Sequence, residues 1–192
     1  MAQTFIGRTN LPLGLRNNNV GNLRPLSNDT WQGQIGVNQG FVVFDDVAWG
    51  IRAFATNLYT SITKYKTDTL RKYINRYAPQ SENDTTKYLN HIVDSTNISA
   101  DEKIPTDIQS IKNILRSQME VELGKQYADM VTDADIDEGL SRLNSPAASF
   151  FSAVGVFYKS NKKKINYTVI GAIIIGLSAY TYFLYKKGLL KK

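Results

Sequence analysis

The sequence predicts a mainly α-helical protein with one small β-hairpin and a single C-terminal transmembrane helix. Three observations carry this expectation. Apolar residues recur three and four apart in several stretches between Val47 and Leu143, the spacing that gathers them on one face of a helix. Two short β-prone runs, Trp31 to Val37 and Phe41 to Phe44, flank Asn38-Gln39-Gly40, a three-residue loop with glycine that reads as a hairpin connection. Ile165 to Tyr185 contains no charged residue, and a helix of that length rises about 30 Å, the thickness of a hydrocarbon core.

Residues 1–15 place Gly7, Pro12 and Gly14 among small and apolar residues without a period, an irregular N-terminal arm. Arg16-Asn17-Asn18-Asn19-Val20-Gly21-Asn22-Leu23-Arg24-Pro25 follows. Asparagine and glycine tolerate positive φ, and asparagine side chains bond back to the backbone, so this reads as an ordered polar loop or simply a tight turn. After the hairpin, Asp45 and Asp46 precede a helix with Val47, Ile51, Phe54, Ala55, Leu58, Ile62 and Tyr65 on its apolar stripe, and one of the two aspartates is its cap.

A second helix is expected from about Asp68, with Thr67 as cap and Leu70, Tyr73, Ile74 and Tyr77 on one side, ending near Ala78 because Pro79 follows. A third opens at Ser81 to Asp84 in the capping-box order and carries Tyr88, Leu89 and Ile92, with His91 beside that stripe. Ile108, Ile111, Leu115 and Met119 mark a helix running to about Leu123, where Gly124 closes it. A short acidic helix, Asp133 to Leu143, stops before Asn144-Ser145-Pro146. The main domain is therefore placed at residues 16–145, and residues 146–164 form a junction whose aromatics make an interfacial helix or lengthen the span.

The span at residues 165–185, from Ile165 to Tyr185, is bracketed by Lys162, Lys163 and Lys164 before and Lys186 and Lys187 after. Tyr167 stands near one end, and Tyr180, Tyr182, Phe183 and Tyr185 crowd the other, where amphipathic rings settle at headgroups. This predicts a single-pass membrane protein with a basic tail at residues 186–192 and a lipid bilayer as partner. Lysines at both ends leave its orientation open.

The net charge of +6 belongs to that region. Lys159 to the end carries eight lysines and no acid, whereas residues 1–158 carry 15 basic and 17 acidic side chains. No basic, aromatic-interleaved groove appears before the span, so nucleic acid is not an expected partner. With no cysteine and one histidine, neither a thiolate nor a histidine-built metal site is expected, and no cofactor is implied.

Within this frame, Arg16-Asn17-Asn18-Asn19-x-Gly21-Asn22-Leu23-Arg24, Trp31-Gln32-Gly33, Phe41-x-x-Phe44, Gly50-Ile51-Arg52-Ala53 and Tyr77-Ala78-Pro79-x-x-Glu82-Asn83-Asp84-Thr85 with Tyr88 resemble a group of phage virion-associated peptidoglycan hydrolases. That group is also described as phage structural proteins or lytic transglycosylases, and includes the lytic enzyme of enveloped double-stranded RNA phages. Glu122-x-Gly124 and Ile136-x-x-Gly139-Leu140 fall at matching places. The likeness covers about residues 14–143, with two departures: Val20 where proline is usual, and Leu123 where asparagine is usual.

The resemblance implies a lysozyme-like domain that cleaves the β-1,4 bond between N-acetylmuramic acid and N-acetylglucosamine. Together with the span it implies a protein of a phage virion membrane, beside other virion proteins, that opens the cell wall as the phage enters or leaves. A non-enzymatic virion membrane protein that retains a wall-binding domain is the alternative, and a host-encoded hydrolase a third.

Cleaving a glycosidic bond requires a carboxylic acid that is still protonated near neutral pH, and a carboxyl on an apolar face acquires that property by desolvation. Glu122 lies seven residues after Leu115 and three after Met119, on the same stripe at a helix end, and is the first candidate. Glu82, within the resembling motif, is the second; the first turn of a helix favours its ionised form, which suits a base, a ligand contact or a cap. Asp45 and Asp46 stand where lysozyme-like enzymes often keep a second carboxylate. Trp31, Tyr77 and Tyr88 are candidates to stack on sugar faces or to pack in the core. Asn17, Asn18, Asn19 and Asn22 are candidates to bond acetamido groups or to fix their own loop.

Overall fold

The computed structural model describes residues 2–151. Its elements in chain order are α1 (Leu13–Arg16), β1 (Gln34–Asn38), β2 (Phe41–Phe44), α2 (Val47–Thr63), α3 (Leu70–Tyr77), α4 (Thr85–Thr96), α5 (Ile108–Leu123), α6 (Lys125–Ala128), α7 (Asp133–Ser141) and α8 (Ser145–Phe150).

The apolar stripe of α2 is the centre of the main core. Ile51, Phe54 and Leu58 are fully buried among Leu70, Tyr73 and Ile74 of α3, Ile92 of α4, Ile111, Leu115 and Met119 of α5, and Ile136 and Leu140 of α7. Each such aliphatic or phenyl side chain contributes about 1.5–3 kcal/mol by leaving water. α2 packs most extensively on α7, and α5 on α4. The first of these contacts is close because Gly139 has no side chain: a Cβ there would stand 2.6 Å from Ile51 and 2.8 Å from the Ala48 carbonyl oxygen. A smaller cluster of Leu23, Val42, Phe44 and Ala53, flanked by Trp31, Trp49 and Tyr77, joins the hairpin to α2.

Local chemistry sets the helix starts. Asp46 accepts from the Trp49 amide, Thr69 from Lys72, Asp84 from Lys87 and Asp107 from Ser110, satisfying otherwise orphaned donors in each first turn. Thr132 and Asp135 form a reciprocal capping box on α7.

Several boundaries differ from the sequence-based expectation. α3 begins at Leu70, not near Asp68, because Thr69 pairs antiparallel with Lys103 and the Asp68 carbonyl accepts from Ile104; that pairing holds the backbone extended. α4 is capped by Asp84 itself. Ser81 and Glu82 precede it in a turn where the Glu82 and Asn83 amides both bond the Pro79 carbonyl, so Glu82 is not in the first turn. The hairpin is tighter than expected. Asn38 pairs with Phe41, leaving Gln39 and Gly40, both at positive φ (51° and 83°), as a two-residue loop, the primed geometry that matches strand twist.

Both flanks of the central region join its core. Phe5 of the arm is fully buried, and Phe151 is buried with its ring edge-on to Tyr59 at 6.2 Å, while Phe150 meets Tyr59 edge-on at 5.3 Å. The aromatics at the start of the junction therefore have an interior to enter.

The expected fold class is corrected on the transmembrane helix. The architecture is mainly helical with a two-stranded hairpin, and no helix among the described residues is long and apolar enough to cross a membrane. The longest, α2, has 17 residues, rises about 26 Å against the roughly 30 Å of a hydrocarbon core, and carries Arg52. The run from Ile165 to Tyr185, like residues 152–164 and 186–192, lies outside the described residues.

Candidate active site

The asparagine loop builds one wall. α1 ends at Asn17, and Asn18 and Asn22 adopt positive φ, 51° and 46°, the left-handed region asparagine tolerates better than other side chains. Asn18 accepts from the Phe5 amide at 2.9 Å and donates to the Phe44 carbonyl at 3.0 Å and the Asp45 carbonyl at 3.1 Å. Asn19 brackets Leu23, accepting from its amide at 2.8 Å and donating to its carbonyl at 2.9 Å, and also donates to Val42. Asn17 accepts from Asn38 at 3.0 Å. All three side chains are buried and tie arm, loop and hairpin together; the cleft is formed by the residues after them. α2 seals this loop from behind. Gly50 lies so close that a Cβ would stand 1.8 Å from the Asn18 carbonyl oxygen.

The loop thereby presents Gly21 and Asn22 to the end of α5. Glu122, in the last turn before Gly124 (φ 84°), receives two hydrogen bonds. Asn22 Nδ2 donates to its Oε2 at 2.8 Å, and the Tyr88 hydroxyl donates to its Oε1 at 2.7 Å. Burial pushes the Glu122 carboxyl above its usual value of 4.5, while the Tyr88 and Asn22 donors pull against that rise. Burial likewise pushes Tyr73, Tyr77 and Tyr88 upward, with the Glu122 charge adding to each, so these hydroxyls keep their protons and act as donors.

Glu122 and Asn22 open onto a cleft of about 420 Å³ that also takes in Gly21, Arg24, Tyr77 and Glu82. The Tyr77 hydroxyl donates to the Gly21 carbonyl, and its ring packs against Phe54, Tyr73 and Tyr88. Glu82 sits at the cleft edge, its side chain 61% exposed and paired with Arg24 at 3.5 Å. The two candidate acids thus share one cleft in unlike surroundings.

The remaining candidates lie elsewhere. Trp31 donates its indole N–H to the Arg24 carbonyl at 3.1 Å and packs on the small hairpin cluster. Asp46 caps α2 and takes both its oxygens to Arg142 Nη1 at 2.8 and 3.0 Å. With Asp45 it lines a different cavity. Tyr88 lines an adjoining cavity with His91 and Glu120, whose side chains meet at 3.0 Å. Asn83 borders both this cavity and the main cleft.

Sequence reading missed Asn57, Ser61 and Arg76 of the cleft wall and Gln118 behind it. Asn57 and Ser61 lie four apart on α2 beside its apolar stripe, a spacing that marks one face and is the signal that could have found them. Among the described residues no group of three or more histidine, cysteine, aspartate or glutamate side chains is placed to hold a metal ion.

No family model matches this chain. It is 36% identical over 95 residues to Protein P5 of Pseudoalteromonas phage PM2. The likeness is to a phage protein. The alignment takes in 47% of this chain and 59% of that relative, so the chain spans somewhat more than half the length of the protein it matches.

Proposed function

We propose that this chain is a virion-associated phage protein that cleaves peptidoglycan glycan strands as a lytic transglycosylase or muramidase, with Glu122 as its general acid. The observation that carries the reading is a carboxyl raised by burial, held by two neutral donors and opening onto a cleft. The acid protonates the glycosidic oxygen as the bond breaks, and the carboxylate left behind is stabilised by the Tyr88 and Asn22 hydrogen bonds. That carboxylate then takes a proton from the attacking hydroxyl and is reset.

The other acid of the cleft, Glu82, is largely solvated and bound to Arg24, which favours the transglycosylase route. There the muramyl 6-hydroxyl closes on the anomeric carbon, and no second carboxylate is needed to activate water. The likeness to a phage protein and the motif resemblance support the setting. Incubating purified peptidoglycan with the protein and reading products by mass spectrometry tests it: 1,6-anhydro ends support the transglycosylase, reducing ends the muramidase, and no cleavage refutes both.

One observation favours the non-enzymatic alternative, a virion structural protein with a wall-binding domain. Both Glu122 oxygens already accept hydrogen bonds from within the protein, as those of a purely structural buried glutamate would. Binding to intact sacculi without strand cleavage would support it.

A further inference from the structure

The cleft that takes in Glu122 also takes in polar side chains that the proposed chemistry does not use. Asn57 and Ser61 come from α2, Arg76 from α3 and Asn83 from the turn before α4. None of these four side chains makes a hydrogen bond or an ion pair among the described residues. The asparagine loop is the contrast: Asn17, Asn18 and Asn19 spend their side chains on the scaffold, whereas the groups of this wall are free to bond water or a ligand. Ser61 is buried, Asn57 half-buried and Arg76 exposed, so the wall grades from interior to rim.

The charges of the cleft single out Arg76. Arg24 is paired with Glu82 at 3.5 Å and lies over the Phe41 ring at 5.3 Å. Arg76 has no carboxylate beside it; its guanidinium lies over the Tyr65 ring, 3.6 Å from the centroid. That contact restrains the group on an aromatic face without consuming its N–H donors. With Glu122 protonated as the acid and Arg24 matched by Glu82, Arg76 is the unmatched charge of the lining.

We infer that Arg76 is a specificity-determining residue that binds a carboxylate carried by the muramyl sugar of the strand, with Asn57 and Ser61 supplying neutral hydrogen bonds beside it. Muramic acid differs from glucosamine by a lactyl ether on C3. In a stripped strand the lactyl group ends in a free carboxylate; in an intact wall it is amide-linked to a stem peptide that bears carboxylates of its own. Either is a planar anion, which the guanidinium fork matches with paired N–H···O bonds, a geometry that an ammonium point charge does not reproduce. The muramyl sugar is the one whose anomeric carbon reacts in the proposed cleavage, so its substituent shares the cleft with Glu122. A contact remote from the reacting atoms, made equally in the bound strand and in the transition state, lowers KM and leaves kcat alone. The inference rests on reading this cleft as a glycan site, and it can be measured without turnover.

The test is calorimetric binding to the full-length chain in a Glu122→Gln background, with and without Arg76→Gln. The probes are neutral chitohexaose, a stripped hexasaccharide of alternating N-acetylglucosamine and N-acetylmuramic acid with free lactyl carboxylates, and the same strand bearing stem peptides. At low salt, at least one acidic probe is expected to bind about tenfold more tightly than chitohexaose. Arg76→Gln should remove that preference and leave chitohexaose affinity unchanged, and the acidic probe that responds identifies the source of the carboxylate. Nitrogen-detected NMR of the Arg76 guanidinium in the parent chain keeps the test valid if Arg76→Gln does not fold: its signals should move with the responsive acidic probe and not with chitohexaose. Equal affinity for all three probes, an equal loss for all three in Arg76→Gln, or no glycan binding at all would overturn the inference. A wild type that shows the Arg76-dependent preference yet releases no products from peptidoglycan would sink the enzymatic reading and leave the carboxylate site standing.

Discussion

Asn22 and Glu122, one hundred positions apart in the chain, meet through a 2.8 Å hydrogen bond from the asparagine amide to the carboxyl. The contact joins the asparagine loop to the end of α5 at the floor of the cleft. It gives Asn22 a different task from its three buried neighbours: they hold the loop, and it touches the acid. Asn22→Asp would set a second carboxyl against Glu122, and like charges at that distance cannot both ionise. One of the pair should titrate well above the usual carboxylate range, and NMR titration of the variant checks it; two carboxyls with ordinary midpoints would mean that the contact is not maintained in solution.

Glu122→Gln should abolish strand cleavage by roughly 10²-fold or more while the fold survives, because the amide cannot deliver a proton yet fills the same space. Oε1 can still accept from Tyr88, but the new NH₂ faces Asn22, a donor meeting a donor, at about 1 kcal/mol. Wall-lysis rate and thermal midpoint measured together decide the outcome: a variant that is stable and fully active removes Glu122 from the mechanism.

The pH dependence of stability follows from the raised Glu122 carboxyl. A group whose folded value lies above its unfolded one contributes stability that is full below the unfolded value, near 4.5, and is lost as pH rises through the folded value. Each unit of elevation corresponds to about 1.4 kcal/mol. Replacing Glu122 with Gln removes this dependence, so Tm of the variant relative to wild type should improve between pH 4 and pH 8. A Tm difference that is flat, or that moves the other way, would show that the carboxyl is not raised.

Glu82→Gln should change stability by less than about 0.5 kcal/mol, since its ion pair with Arg24 is solvent-exposed and the residue precedes α4 instead of capping it. Cleavage should fall far less than in Glu122→Gln. A stable but inactive Glu82→Gln beside an active Glu122→Gln would transfer the acid role to Glu82.

Asn19→Ala should destabilise the protein by about 2–4 kcal/mol, because two buried backbone groups, the Leu23 amide and the Val42 carbonyl, lose their side-chain partner, and the Leu23 carbonyl keeps only the Val42 amide. Chemical denaturation measures this directly. A loss below about 1 kcal/mol would show that water or a local shift restores those bonds.

The helices were legible in the sequence because periodicity and capping depend on near neighbours. Val47, Ile51, Phe54 and Leu58 declare α2 by spacing alone, and the same arithmetic put Glu122 on the stripe of Leu115 and Met119. What the sequence could not supply is which distant groups those faces meet. Thr69 pairing with Lys103 moved the start of α3, and Pro79 accepting two amides moved the start of α4 past Glu82. Phe5 and Phe151, assigned by composition to an arm and a junction, found the interior once α2 was in place. The asparagines shared one motif, yet only tertiary packing separated Asn22 at the acid from Asn17, Asn18 and Asn19 inside the scaffold. The elevation of Glu122 belongs to the same level: desolvation is set by every element packed around a carboxyl, and no window of neighbouring residues contains it.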